Sequence, residues 1–532
     1  MLLRSPIESL ALLPCLCVCL SAFTPAAPAQ TILAHMPGGV NQSSGDSSTG
    51  IGDITGNGLS EIVIGSPTAA LGGRIMIFTD QGDYIREMWL FGGTTQILEM
   101  GRSVDGGDAL SGAGDVNNDG VGDVAVGAPG SYLRGTDSGA MVVFNGRGGA
   151  IPLLEIHGAR SGERFGTDVA MVGAVDGDAN SDVLVGAPAA SPPYAEVYSG
   201  ANGAMLLRLA GLQADDAFGT VVTGVGDLDR DGRTDLLIGA PKFDDGSRSD
   251  AGVARLFSGR TGFELGQFRG ASAEERFGSA VASAGDVNGD GYNDFLIGGD
   301  GVARVFSGKD GSLLHELHGS NGFGLALSGV GDQDGDGRSD FVVGAPYADA
   351  LNRDAGTATL YSGDDAWPLY VYMGHVRDEK LGEEISIAGD TNGDGWTDFL
   401  IGAIGEQKTL LCTYRNRLTI MSPPSPGRAG EINTVQVAGA RPGWEVTLEY
   451  AYETALRPII ESDGLHLDIA SYPFDPVIKR ADASGSVVFA GIVSSDLAGR
   501  TLLIQAHMKP PPSDPPDTDP CSVSAVMSYT FD

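Results

Sequence analysis

The stretch Asp286-Val287-Asn288-Gly289-Asp290-Gly291-Tyr292-Asn293-Asp294 runs straight into the apolar Phe295-Leu296-Ile297-Gly298. Oxygen-bearing side chains stand at positions 1, 3, 5 and 9 of the nine, with glycine at position 6. Carboxylates, amides and a backbone carbonyl at that spacing wrap a chain around a hard cation such as Ca²⁺. Glycine at position 6 permits the sharp turn that aims alternate side chains at one centre. The same frame begins at Asp53, Asp115, Ala174, Asp227, Asp332 and Asp390, the starts lying 46–62 residues apart. Seven copies of a loop followed by an apolar run indicate a repeat architecture, not one active site.

Each unit carries further marks. An aromatic or apolar residue plus glycine opens it: Phe165-Gly166, Phe218-Gly219, Phe277-Gly278, Phe323-Gly324, and the weaker Met100-Gly101 and Leu381-Gly382. After the loop comes a run ending in Gly-Ala-Pro, as at 127–129, 186–188, 239–241 and 344–346. A third run with an aromatic follows, such as Arg304-Val305-Phe306, and then a fourth, such as Leu313 to Leu317. Four short runs split by Gly, Asp, Asn and Pro predict four antiparallel strands per unit, the first two joined by the metal loop. A single such sheet cannot bury both faces, whereas seven arranged radially cover one another, which predicts an all-β, seven-bladed β-propeller.

The Phe-Gly … Gly-Ala-Pro frame around Asp-x-Asn/Asp-x-Asp-Gly-x-x-Asp resembles the FG-GAP repeat of the integrin α-subunit N-terminal propeller over roughly residues 31–415. The resemblance implies seven blades and Ca²⁺ in hairpins on the lower face. It also implies ring closure by an N-terminal strand, with Thr31 to Met36 pairing with Leu410 to Tyr414. An EF-hand is excluded, because it needs an acid at position 12 between helices. Here position 12 is Ile297, Val343 or Ile401, inside a strand.

Five loops carry a full ligand set. They are Asp115, Asn117, Asp119 and Asp123; Asp227, Asp229, Asp231 and Asp235; Asp286, Asn288, Asp290 and Asp294; Asp332, Asp334, Asp336 and Asp340; and Asp390, Asn392, Asp394 and Asp398. The second and fourth of these have four carboxylates and are expected to bind tightest, since ligand charge tunes affinity. Two loops are expected to be weak. The first offers Asp53, Thr55, Asn57 and the longer Glu61; the third keeps only Asp176, Asp178 and Asp182, with Ala174 and Ala179 replacing a ligand and the turn glycine. An Asp/Gly hairpin without metal is the alternative for any single copy.

The chain has 532 residues, 81 of them glycine, and a net charge of −36. About a third of its 69 acidic residues stand at loop ligand positions. Such acidity argues against nucleic acid or an anionic membrane as partner. Residues 1–29 read as a signal peptide: Arg4, an apolar Leu10 to Phe23, and Ala27-Pro28-Ala29 before Gln30. A secreted or cell-surface product without a membrane span is the expectation; a lipoprotein cysteine at Cys15 is the poorer alternative, with Pro14 directly before it. Cys412 and Cys521 remain after cleavage, either paired or as two buried thiols.

The repeat stops near Tyr414, so the propeller is assigned to 30–415 and a C-terminal domain to 416–532. Its strand-like runs at 434–438, 445–452, 465–469, 486–490, 501–507 and 523–531 suggest an immunoglobulin-like β-sandwich. No Gly-x-Ser-x-Gly elbow, P-loop or Cys/His cluster appears, and His315-Glu316-Leu317-His318 lacks zinc-protease spacing. The loops after Gly-Ala-Pro, at 129–139, 188–195, 241–252 and 346–356, fall on the face opposite the metal loops, where variable loops on a rigid scaffold carry binding. Tyr132, Arg134, Tyr194, Phe243, Arg248, Tyr347 and Arg353 are the candidate contacts there, Tyr and Arg being favoured at hot spots. The reading is a non-catalytic, calcium-binding protein acting in ligand binding or cell-surface adhesion toward a protein or glycan. An extracellular enzyme acting on polysaccharide or lipid, or a structural surface component, is the alternative.

Overall fold

The computed structural model describes residues 47–67, 73–79, 84–88, 103–105, 114–149 and 151–413 other than 394. For 31–37, 87–88, 103–105 and the strands beyond 418 it describes the backbone alone. The expected signal peptide, Met100-Gly101, Asp394 and Cys521 lie outside the described residues.

Seven four-stranded antiparallel sheets follow one another along the chain and form the blades of a seven-bladed β-propeller. Blade 5 shows the plan: Ala280–Gly285, Asp294–Gly299, Val302–Phe306 and Leu313–His318, each paired with the next. The nine-residue loop joins its first two strands, as expected. Position 12 of that loop, Ile297, lies within a strand, so no EF-hand helix follows.

Burial follows from the stacking of blades. The second strands are buried along their whole length, as in Leu236–Ala240, and most third strands nearly so, as in Val253–Phe257; Thr357–Tyr361 of blade 6 alternates between buried and half-buried. Such full burial explains the continuous apolar runs of the second strands. Most outer strands are more exposed, Glu264–Arg269 switching between half-buried and exposed at every residue, whereas Pro368–Met373 of blade 6 is buried over its last four residues. Among the described residues the blade core divides into seven clusters, each shared by two neighbouring blades. One of them joins Ile62, Ile64, Met76 and Phe78 of blade 1 to Ala388, Leu400 and Leu411 of blade 7. The Ser48 hydroxyl donates to Glu384 at 2.7 Å across the same junction.

The ring is closed as the resemblance implied. Thr31–Pro37 is the outer strand of blade 7, beside Lys408–Thr413, with Thr31 opposite Thr413 and Pro37 opposite Lys408.

The glycines that mark the repeat meet where blades touch. The Gly278 N–H donates to the Gly298 carbonyl of its own blade at 2.8 Å. The Gly278 carbonyl lies against Gly239 of the preceding blade, where a β-carbon would stand 2.0 Å from the oxygen. Gly186 meets Gly219, Gly298 meets Gly324 and Gly344 meets Gly382 in the same way. Phe-Gly and Gly-Ala-Pro are thus two halves of one contact repeated around the ring.

Beyond residue 418 the backbone forms a sheet of Thr419–Ile420, Ile432–Ala438 and Val487–Ile492. A second contains Val477–Arg480, Glu445–Tyr452, Thr501–Lys509 and Met527–Thr530. Cys412 is a free thiol, fully buried between blades 6 and 7.

Candidate metal centres and the opposite loop face

In each nine-residue loop the carboxylates first organise their own backbone. In blade 5, Asp286 Oδ1 accepts the N–H groups of Gly289 at 2.7 Å and Asp290 at 3.0 Å, and Oδ2 accepts that of Gly291 at 2.8 Å. Asp290 Oδ1 takes the N–H of Tyr292 at 3.1 Å. Asp294, fully buried, receives Val287 at 2.9 Å and Asn288 at 3.3 Å on one oxygen, and Gly308 from the turn between strands 3 and 4 at 2.9 Å on the other. Position 9 therefore binds two turns of its blade together. Asp123, Asp182, Asp235 and Asp340 repeat this pattern.

The turn takes left-handed backbone at position 4 in all seven loops, and at position 6 in all but that of blade 3. Gly289 and Gly291 supply it in blade 5, and Asn118 with Gly120 in blade 2 and Arg230 with Gly232 in blade 4 do the same. In blade 3 only Gly177 at position 4 is left-handed. Ala179 at position 6 thus needs no strained conformation, and the loop survives its loss of glycine.

Charge is concentrated here. Burial pushes the carboxyls of Asp123, Asp182, Asp235 and Asp294 up to about 6, neighbouring loop acids adding to the shift. Burial together with the Asp334 charge pushes Asp340 up to about 8. A cation would relieve that crowding. The oxygens fit one: Asn117 Oδ1 and Asn288 Oδ1, both at position 3, are buried with no hydrogen-bond partner. A buried carbonyl oxygen left unmatched is costly unless something meets it. Carboxylate oxygens within 4.8 Å of one another occur, among the described residues, in Asp176/Asp178/Asp182, Asp227/Asp229/Asp235 and Asp332/Asp334/Asp336. The last two groups lie in the loops with four carboxylates. The first lies in the loop expected to be weak, and it converges without position 1.

Blade 1 differs. Glu61 reaches back, its Oε2 accepting the Ile54 N–H at 2.8 Å and its Oε1 the Thr55 hydroxyl at 2.9 Å. Positions 3 and 9 there satisfy each other. In blade 7, Asp398 accepts the Thr391 N–H at 3.0 Å and the Asn392 amide at 3.1 Å.

Because strand ends alternate, the loops between strands 2 and 3 lie on the opposite face. Tyr132, Arg134, Tyr347 and Arg353 are exposed there. Arg248 is half-buried, pairing with Asp245 and donating to the Ala271 carbonyl at 2.9 Å. Two candidates are core residues instead. Tyr194 is 3% exposed, donates to Glu163 at 3.2 Å and lies beneath the Arg208 guanidinium. Phe243 is 6% exposed and packs in the cluster between blades 3 and 4. Tyr194 opens the third strand of blade 3, paired with Ala187 and Ala210, and Phe243 sits in a turn in which its N–H donates to the Ala240 carbonyl at 3.2 Å.

One organising feature of this face was missed by sequence reasoning. In blades 3, 4, 5 and 7 an acid two residues before the Phe-Gly or Leu-Gly pair caps the loop that enters the blade; blade 6 has Asn321 there. Glu163 takes the N–H groups of Ala159 and Arg160, Asp216 those of Leu212 and Gln213, Glu275 those of Ala271 and Ser272, and Glu379 those of His375 and Val376. The signal was present in Glu-Arg-Phe-Gly at 163–166 and 275–278, read only for its last two letters.

Repeat, ring and loops define a seven-bladed propeller carrying FG-GAP repeats. The FG-GAP repeat profile matches residues 106–144, 218–257 and 323–361. The chain is similar to integrin α chains: integrin alpha-PS2 of Drosophila melanogaster (32% identical over 26% of this chain and 11% of that one), integrin alpha-V of Gallus gallus (32%, 26% and 15%) and integrin alpha-5 of Xenopus laevis (35%, 28% and 16%). The chain thus aligns with only a small part of these relatives' length. A solved structure titled "Crystal structure of BBS1N in complex with ARL6DN, soaked with lead" overlaps 68% of this chain and 90% of its own, with a TM-score of 0.43 and 10% identity. Among the described residues no helix is long and apolar enough to cross a membrane.

Proposed function

We propose that this is an exported, non-catalytic, calcium-binding propeller that captures a protein or glycan at a surface, in the manner of an adhesion module. Two observations in different loops carry the metal half: the orphaned Oδ1 atoms of Asn117 and Asn288 at position 3 in blades 2 and 5, and the convergent carboxylates in blades 3, 4 and 6. The residues that would hold the ion are those at positions 1, 3, 5 and 9 of the loops at 115–123, 227–235, 286–294, 332–340 and 390–398, with Asp176, Asp178 and Asp182 as a further set. Bound calcium supplies positive charge to the acidic face; the chain itself supplies the rigid ring.

The binding half rests on Tyr132, Arg134, Tyr347 and Arg353, which stand exposed on the face opposite the metal loops. The integrin likeness supports an extracellular setting and a role without chemistry on the ligand. The two larger of the three sheets after residue 418 suit a β-sandwich that spaces or tethers the ring. The test is an array of extracellular proteins and glycans probed with residues 30–532, with calcium and with EGTA. Capture that weakens on chelation and on Tyr347→Ala supports the reading. Turnover of an arrayed polysaccharide or lipid would replace it with an enzyme.

A further inference from the structure

The metal loops are not separate from one another. At position 8 a loop touches the start of the loop on the preceding blade. The Ser181 N–H donates to the Asp115 carbonyl at 2.9 Å, Ser339 to Asp286 at 2.9 Å, and Ser60 to Asp390 at 3.0 Å, the last across the junction of blades 1 and 7. The Ser181 hydroxyl also accepts the Gly114 N–H at 2.9 Å. Where position 8 is Gly122, a β-carbon would stand 2.4 Å from the Ile51 carbonyl of blade 1. Asn293 presses on Gly226 in the same way, and Ser339 on Gly285. A second tie joins blades 4 and 5: the Arg230 guanidinium, from position 4 of one loop, lies 3.8 Å from the ring centre of Tyr292, at position 7 of the next.

Position 8 directly precedes the buried carboxylate of its own loop, and it holds the carbonyl of position 1 in the loop before. Ordering one loop therefore fixes backbone to which its neighbour is hydrogen-bonded. We infer that adjacent metal loops bind their cations cooperatively, with Ser181 and Ser339 as positioning residues for the site on the preceding blade. The inference rests on the metal-binding reading above. A loop whose neighbour is already ordered has less conformational freedom left to lose, so the second ion binds tighter without any new contact. The effect is reciprocal between the two sites.

Terbium can stand in for calcium, with Tyr292 as the sensitiser for the ion in its own loop. The emission that disappears in Tyr292→Phe reports the blade 5 site and the blade 4 loop that Tyr292 also touches. This component is titrated in the full chain, in Asp334→Ala, which impairs the adjacent blade 6 site, and in Asp119→Ala, which impairs the non-adjacent blade 2 site. The expected result is a midpoint raised about fivefold or more by Asp334→Ala and unmoved by Asp119→Ala. Ser339→Pro, which deletes the bridging N–H, should raise it similarly. If Ser339→Pro does not fold, the comparison of the two Asp variants decides alone. Equal midpoints in both would overturn the coupling and leave metal binding standing. No terbium emission through Tyr292 would overturn the metal reading, and the coupling with it.

Discussion

Asp340 illustrates what one residue is asked to do in this ring. It is fully buried, binds two turns of blade 6 through backbone N–H groups, and sits beside Asp334, whose own carboxyl is pushed up to about 6 by burial and by Asp336. With Asp340 pushed up to about 8, the folded metal-free chain holds protons that the unfolded chain, with Asp near its ordinary value of about 3.9, has released. That contribution to stability is complete below about pH 4 and is lost as pH rises through 6 to 8. The melting temperature in metal-stripped buffer should therefore fall between pH 5 and pH 8, and Asp340→Asn should flatten the upper part of that slope. Stabilisation by added calcium should grow over the same range, because the ion replaces the protons. Calorimetry across pH checks both; a metal-free melt that rises with pH would refute the assignment. Position 9 was legible as a ligand, since acids recur there. Its second duty, joining loop to turn through Gly308 or Gly363, was not, because backbone N–H partners leave no mark in side-chain identity. The left-handed requirement at position 4 was half-visible, as glycine in most loops, and masked by Asn118 and Arg230 in two.

Among the elements, the middle strands and the glycines at their ends set how closely blades approach. Gly239 has no room for a β-carbon against the Gly278 carbonyl. Gly239→Ala must separate blades 4 and 5 locally, and a loss of about 1–3 kcal/mol is expected for such overpacking. Denaturant unfolding checks this, with Gly232→Asn as the comparison: Gly232 is left-handed but meets nothing within 4 Å. A smaller loss at Gly239 than at Gly232 would show that the blades have slack. Strand number and order could be read from the sequence because both faces of every second strand are buried, so that a short apolar run follows each loop. The inward turn of Tyr194 and Phe243 could not. A Tyr or Phe beside Ser, Pro and Asp reads as a surface loop residue, whereas Tyr194 already belongs to the third strand of its blade and Phe243 packs in the core.

For the whole molecule, the blade count followed from counting loops, and each blade has its partner on both sides. Stability then accumulates from seven similar interfaces and from the charge relief at the loops. Extracellular calcium modules bind at about 10⁻⁴–10⁻³ M, so at millimolar calcium each filled site adds about 0.4–1.4 kcal/mol. Five complete sites would together hold a large part of a domain's marginal stability of about 5–15 kcal/mol. Chelation should lower the melting temperature of residues 30–532 by many degrees, and an unchanged melt with EGTA would dismiss a stabilising ion. The pairing of Thr31 with Thr413 has a mechanical corollary. The strand that closes the ring enters at the same end at which the last strand of the propeller leaves. Tension applied between the segments before Thr31 and after Thr413 therefore opens that pair rung by rung, as a zipper, and does not load its hydrogen bonds together as shear would. The seam of the ring is its mechanical fuse: blade 7 gives way first, while six intact blades stay folded.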